Sequence, residues 1–160
     1  MTDFDLYNRQ ILRLAASIPR IGRLESPDAS VTAHSRLCGS RITIDLKLAD
    51  GLVADYAHEI RACVIGQAVA SVLAQMIVGL RAAEIHAGAA ALRALLKEKT
   101  LPTSAPWTAL EPFLPVADVR SRHGSALLPF EALERALDEI GRKDSGRQPL
   151  SVAFDQEVRA

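Results

Sequence analysis

Two cysteines and one histidine carry the chemistry that could go beyond packing in this chain. Cys38 precedes Gly39 in the stretch "HSRLCGSR", where one extended segment gives way to another. Cys63 stands where a strand gives way to the most apolar helical segment. A cysteine at a helix N-terminus meets unpaired N–H groups and the positive end of the dipole, which favour thiolate. Thiolate is the form that binds metals and attacks sulfur. The two cysteines are 25 residues apart, so a site that used both would be tertiary rather than a local finger. His123, in "RSRHGSALLPF", would add an imidazole and complete a Cys/Cys/His set suited to zinc or an iron–sulfur cluster. The plain alternative is that both cysteines are small buried apolar residues and His123 is a surface residue. Spacing alone favours the plain alternative for the cysteines.

Other chemistry is absent from the sequence. There is no CxxC pair, nucleophile elbow, Walker loop or GxGxxG turn. His58 falls in a strand and His86 on a helix, neither with ligand-like neighbours, and His34 lies four residues before Cys38. Nothing local supports a Cys–His nucleophilic pair built from Cys38 or Cys63 with His123.

The elements that must position these residues can be read from periodicity. Tyr7, Ile11, Leu14 and Ile18 predict an amphipathic helix over 5–18, ended by Pro19. Ile42, Ile44, Leu46 and Leu48 alternate with polar residues, a strand with one face wet. Asp50-Gly51 is a hairpin signal, "LVADYAHEI" the return strand and "ASVTAH" a shorter third strand. The expected sheet is therefore a three-stranded antiparallel meander.

After Cys63 the period becomes helical. Ile65, Val69, Val72, Met76 and Leu80 form one stripe, with Gly79 as a stop. A second helix is expected over 82–97. "KTLPTSAPW" reads as a loop, and the prolines of "TALEPFLPVADVR" leave that stretch ambiguous. A last helix is expected to begin at Pro129 and stop at Gly141. The order helix, strands, helices indicates an α+β fold: an N-terminal helix, a small antiparallel sheet, then packed C-terminal helices. One domain over 1–141 and a mobile tail over 142–160 are expected.

Composition bounds the function. The formal net charge is +0, which does not suggest nucleic acid or an anionic membrane as partner. The N-terminus has two aspartates and no apolar core, so no signal peptide is expected, and the cytoplasm is the default compartment. The uncharged run from Ala62 to Leu80 is long enough to mimic a membrane span. Gln67, Ser71 and Gln75 draw a polar stripe along it, which fits a buried helix better than lipid.

Four stretches together resemble a known family, the U-type iron–sulfur cluster assembly scaffolds (the IscU, SufU and NifU N-terminal-domain group). "LYNRQILRLAASIPRIGRL" is similar to the family's opening helix and its Pro-Arg-x-Gly-x-Leu turn. "LCGSRITIDL" resembles its Cys-Gly-Asp strand motif. "RACVIGQAVASVL" resembles its cysteine-led helix start, with Cys, Gln, Ala and Ser at matching spacing. "RSRHGSALLPFEALERAL" falls at its third cysteine and final helix. The resemblance covers about residues 5 to 140.

The resemblance implies a two-layer α+β sandwich like those of SufE and IscU. It implies a scaffold without turnover of its own, which receives sulfur from a cysteine desulfurase and passes clusters to acceptor proteins. Cys38 and Cys63 match the family's first two cysteines, and His123 becomes the expected third donor for iron, a transient iron–sulfur cluster or zinc. A monomer or weak homodimer is expected. Two positions depart from the pattern: Ser40 stands for the aspartate and Ser125 for the third cysteine. A serine hydroxyl stays protonated near neutral pH and is a poor ligand. A degenerate adaptor, free of metal or holding zinc, that docks on a desulfurase or other partner is therefore the alternative reading.

Overall fold

The computed structural model describes residues 8–36 and 39–146. Helix α1 spans Arg9–Ala16, and the Asn8 side chain caps it by accepting the Ile11 N–H at 3.0 Å. It is shorter than the expected 5–18. Residues 5–7 lie outside the described residues, and the helix stops at Ser17, before Pro19.

Strands β1 (Ala29–His34), β2 (Arg41–Ala49) and β3 (Leu52–Arg61) pair antiparallel in that order, the expected meander. Asp50 and Gly51 turn β2 into β3 with φ of 54° and 78°. Positive φ at both central residues matches the right-handed twist of the strands. Ile42, Ile44 and Leu46 lie opposite Ile60, His58 and Tyr56 on the core face. The other face is partly covered by the chain between α1 and β1. Arg20 and Gly22 bond to the backbone of His58 at the β3 edge. Arg23 and Leu24 then reach Asp45 in the central strand, and Asp28 closes on β2 through Leu48 N–H.

That strap explains a buried carboxylate on what alternation marks as the wet face. Asp45 is fully buried, with Arg23 Nε at 2.7 Å, Arg23 Nη2 at 3.1 Å and Leu24 N–H at 2.8 Å. Burial pushes its carboxyl up, and the hydrogen bonds from Arg23, Ser30 and Leu24 with the Arg23 charge outweigh that, so it titrates below its ordinary range.

The helical layer lies on the core face. Helix α2 spans Val64–Met76 and α3 spans Ala82–Glu98. α2 is buried along most of its length, and its polar stripe has partners: Ser71 donates to Ser17 C=O, and Gln75 donates to Ser71. Among the described residues no helix is long and apolar enough to cross a membrane. The proline-broken stretch Trp107–Asp118 forms 3₁₀ turns, followed by a short one at Arg120–Arg122. Trp107 anchors it to α3, donating to Glu84 C=O at 2.9 Å and lying so close to Gly88 that a Cβ there would sit 2.5 Å from the ring.

The last helix, α4, differs from expectation. It spans His123–Gly146, so it starts six residues before Pro129 and continues through Gly141. Proline here sits one turn and a half inside, where it withholds an N–H only from Ser125 C=O. Ala126, Phe130, Leu133, Ala136, Leu137 and Ile140 are all buried and hold the helix on the sheet and on its neighbours. That burial outweighs the local stop signals. Residues 147–160 of the expected tail lie outside the described residues.

Candidate metal and sulfur site

Cys63 is the residue that caps α2. Its backbone is extended (φ −65°, ψ 170°), and its C=O accepts the Gln67 N–H at 3.0 Å. Its side chain does not cap the helix and is partly buried, and its sulfur is a free thiol. The sulfur lies 3.2 Å from Ser125 Oγ, in the first turn of α4. Ser125 Oγ in turn lies 3.3 Å from Ser40 Oγ, immediately before β2. Both serines are buried, at 0% and 2% exposure. Three residues from separate elements thus meet where the strand ends, α2 and α4 come together.

Local structure accounts for each placement. Ser35 N–H bonds to Ser40 C=O at 2.8 Å and Gly39 N–H to Ser35 C=O at 3.0 Å, closing the link between β1 and β2. Gly39 has φ of 69°, which glycine adopts without a Cβ clash. Ser125 approaches α2 only because residue 66 is glycine: a Cβ there would lie 2.6 Å from Ser125 Oγ and 3.2 Å from its carbonyl oxygen. Gly66 is the site residue that sequence reasoning missed. Its signal was a glycine in the first turn of an otherwise apolar helix.

Of the expected donors, Cys63 lies in the junction and Cys38 lies outside the described residues. His123 sits two residues before Ser125, but its Nε2 points to Val116 C=O at 3.0 Å and Ala117 C=O at 3.2 Å. Carbonyls only accept, so Nε2 carries the proton and Nδ1 is the nitrogen left for a ligand role. Among the described residues no three His, Cys, Asp or Glu side chains come together as a metal set. His58 is buried, with Nε2 on Pro19 C=O at 2.9 Å and Nδ1 3.4 Å from Tyr56 Oη. His86 is paired with Glu134 at 2.7 Å. Both have structural partners. A groove of about 710 Å³ between α1, α2 and the 3₁₀ stretch contains none of Cys63, Ser125 or Ser40.

The described donors do not make a four-donor site. One thiol and two neutral hydroxyls are present where tetrahedral thiolate-rich ligation would need four strong donors. The arrangement suits a nucleophilic thiol held against hydroxyl groups that can donate to it or accept from it.

A helical layer on a three-stranded meander, with a cysteine starting the central helix at their junction, defines the architecture of a U-type scaffold domain. The comparisons agree: residues 6–104 match the family model of the NifU-like N terminal domain, and the chain belongs to that family. The iron–sulfur cluster assembly scaffold protein IscU of Thermotoga maritima is 38% identical over 80 residues, which cover 50% of this chain and 56% of that protein. The chain thus matches little more than half the length of that curated relative. A crystal structure of a nitrogen-fixing NifU-like protein (N-terminal) from Brucella abortus is 42% identical, with a TM-score of 0.84 over 87% of this chain and 96% of that one. A structure from Fervidobacterium islandicum AW-1, described as a candidate scaffold protein for the SUF system, shares the fold: TM-score 0.71, 22% identity, 82% of this chain and 96% of that one.

Proposed function

We propose that this chain works in iron–sulfur cluster assembly as a scaffold-type protein whose Cys63, together with Cys38, accepts sulfur and holds iron or a nascent cluster as cargo. The observation that carries the reading is the junction of Cys63, Ser125 and Ser40. Three positions that the family resemblance aligned with donors, far apart in sequence, meet in space. A cysteine desulfurase as sulfur donor, cluster-acceptor proteins as clients, a cytoplasmic location and no turnover of its own belong to the same reading.

The sulfur step uses Cys63 directly. Its thiolate attacks the outer sulfur of a persulfide R–S–SH. A new S–S bond forms to Cys63, the S–S bond of the persulfide breaks, and R–S⁻ leaves. No net electrons move, so the step needs no external oxidant or reductant. For cargo metal, Cys63 and Cys38 are the strong donors, and His123 would have to turn Nδ1 toward them. With Ser40 and Ser125 neutral, remaining ligands come from an external thiol or a second chain, and the cargo is held loosely.

The buried Ser40–Ser125 contact also favours a second reading, an adaptor that docks on a desulfurase and holds zinc or no metal. One experiment separates the two. The protein is incubated anaerobically with cysteine persulfide, then with ferrous iron and sulfide. The scaffold reading expects one added sulfur on Cys63 by mass spectrometry and visible charge-transfer absorption, both lost in Cys63→Ala. No added sulfur and no absorption in the wild-type protein would leave the adaptor.

A further inference from the structure

The open half of the outer sheet face ends in a row of basic residues, two arginines with a histidine at its β1 end. His34, Arg41 and Arg61 are direct cross-strand neighbours, one on each strand, and all three are exposed. Like charges directly opposite each other destabilise a sheet. Among the described residues neither Arg41 nor Arg61 has an ion-pair partner. Glu59 shares a shallow groove with them and stands opposite Thr43, without reaching salt-bridge distance of either arginine. The contrast lies on the same face: under the strap, Arg23 is locked onto Asp45 and its charge is met.

Position gives the row its meaning. Arg41 follows Ser40, and Arg61 lies two residues before Cys63. The two arginines therefore stand opposite each other on the rung of the sheet next in sequence to Ser40 and Cys63. We propose that this face docks the acidic surface of the protein that delivers sulfur to Cys63, with carboxylates of the partner set between Arg41 and Arg61. The inference rests on the sulfur-accepting reading for its purpose. Arginine suits the task because its planar fork pairs with carboxylate bidentately. Rim charges of this kind act mainly on encounter rate and salt dependence. A nucleic acid fits less well, since the chain has a net charge of +0 and a carboxylate stands within the patch.

The test uses two synthetic peptides of equal length, one rich in Asp and Glu and its twin with Asn and Gln instead, each with one cysteine. Binding of the unmodified peptides is read by fluorescence anisotropy. The acidic peptide should bind about tenfold tighter than its twin at low salt. The preference should vanish in R41Q/R61Q and at ~0.5 M salt, where exposed charges are screened. R41Q/R61Q should be at least as stable as wild type, because a like-charge pair has been removed. Equal binding of the twins overturns the proposal, as does a preference that survives R41Q/R61Q. Tight binding of single-stranded RNA in place of the acidic peptide overturns it too. The same peptides as persulfides, with cysteine persulfide as a small donor, separate the two readings. A binding preference without loading of Cys63 from any donor supports the docking face and sinks sulfur acceptance. Loading without a preference does the reverse.

Discussion

Cys63 Sγ lies 3.2 Å from the hydroxyl of Ser125, a residue 62 positions further along the chain, and Ser125 reaches on to Ser40. Contacts of 3.2–3.3 Å are near the ligand-to-ligand separations of a tetrahedral zinc site, where metal–ligand bonds are about 2.0–2.3 Å. At this junction the side chains stand close together, and donor strength is what falls short of a zinc site. The double variant S40D/S125C should retain zinc through gel filtration and win it from a chromophoric chelator with at least about tenfold higher affinity than wild type, equivalent to ~1.4 kcal/mol. Equal zinc retention by wild type and a folded double variant would place the weakness elsewhere.

Gly66 should tolerate no side chain. In Gly66→Ala the new Cβ would meet Ser125 Oγ at 2.6 Å and Ala62 Cβ at 2.9 Å. Overpacking of this kind costs about 1–3 kcal/mol. Denaturant unfolding should show that loss. The reactivity of Cys63 with a thiol reagent should change in the same variant, because Ser125 must move. Gly141→Ala, where nothing lies within 4 Å of the added carbon, is the control expected to keep or gain stability.

His58 should make stability depend on pH near neutrality. Burial pushes its pKa below the ordinary 6.5, and the hydrogen bond to Pro19 C=O only partly opposes that. The unfolded state therefore binds the proton first. The stability His58 contributes is present above pH 6.5 and is lost as pH falls from there through its lower folded value. Unfolding midpoints measured from pH 8 to pH 5 should fall with pH in wild type and be flatter in His58→Gln.

Asp45 should act in a lower window. Its folded pKa lies below the ordinary 3.8, so its contribution is present above pH 3.8 and is lost as pH falls through the folded value. Asp45→Asn keeps the shape but loses the charge that Arg23 pairs with. It should be less stable than wild type at pH 7, with the gap narrowing toward pH 2 in denaturant melts. Because Asp45 holds the strap, Arg23→Ala should share the pH 7 defect, and the double variant should cost less than the two single losses added.

Among the expectations, those that held depend on local regularity. Alternation in "RITIDLKL" and the Asp50-Gly51 turn sufficed for the hairpin, and the helical stripe after Cys63 for α2, because period and turn chemistry are properties of neighbouring residues. The matched stretches sufficed for the family. The last helix runs past both expected ends because Pro129, a local start signal, and Gly141, a local stop signal, are both overridden. The apolar face that keeps the helix going past them acts through contacts with the sheet and other helices, which no window of sequence contains.

The site divides in the same way. Sequence alone determined that Cys63 starts a helix, where its thiol stands at the end of an apolar element. It also determined that Ser40 and Ser125 differ from the donors the family resemblance leads one to expect. Only the tertiary structure decided that these three meet, since the junction joins a strand and two helices whose approach is set by packing, with Gly66 leaving room for Ser125. It also decided which way His123 turns, because the carbonyls of Val116 and Ala117 are brought to it by a 3₁₀ stretch that propensity could not resolve. Residue types fix what a group can do; the folded chain fixes what stands within a hydrogen bond of it.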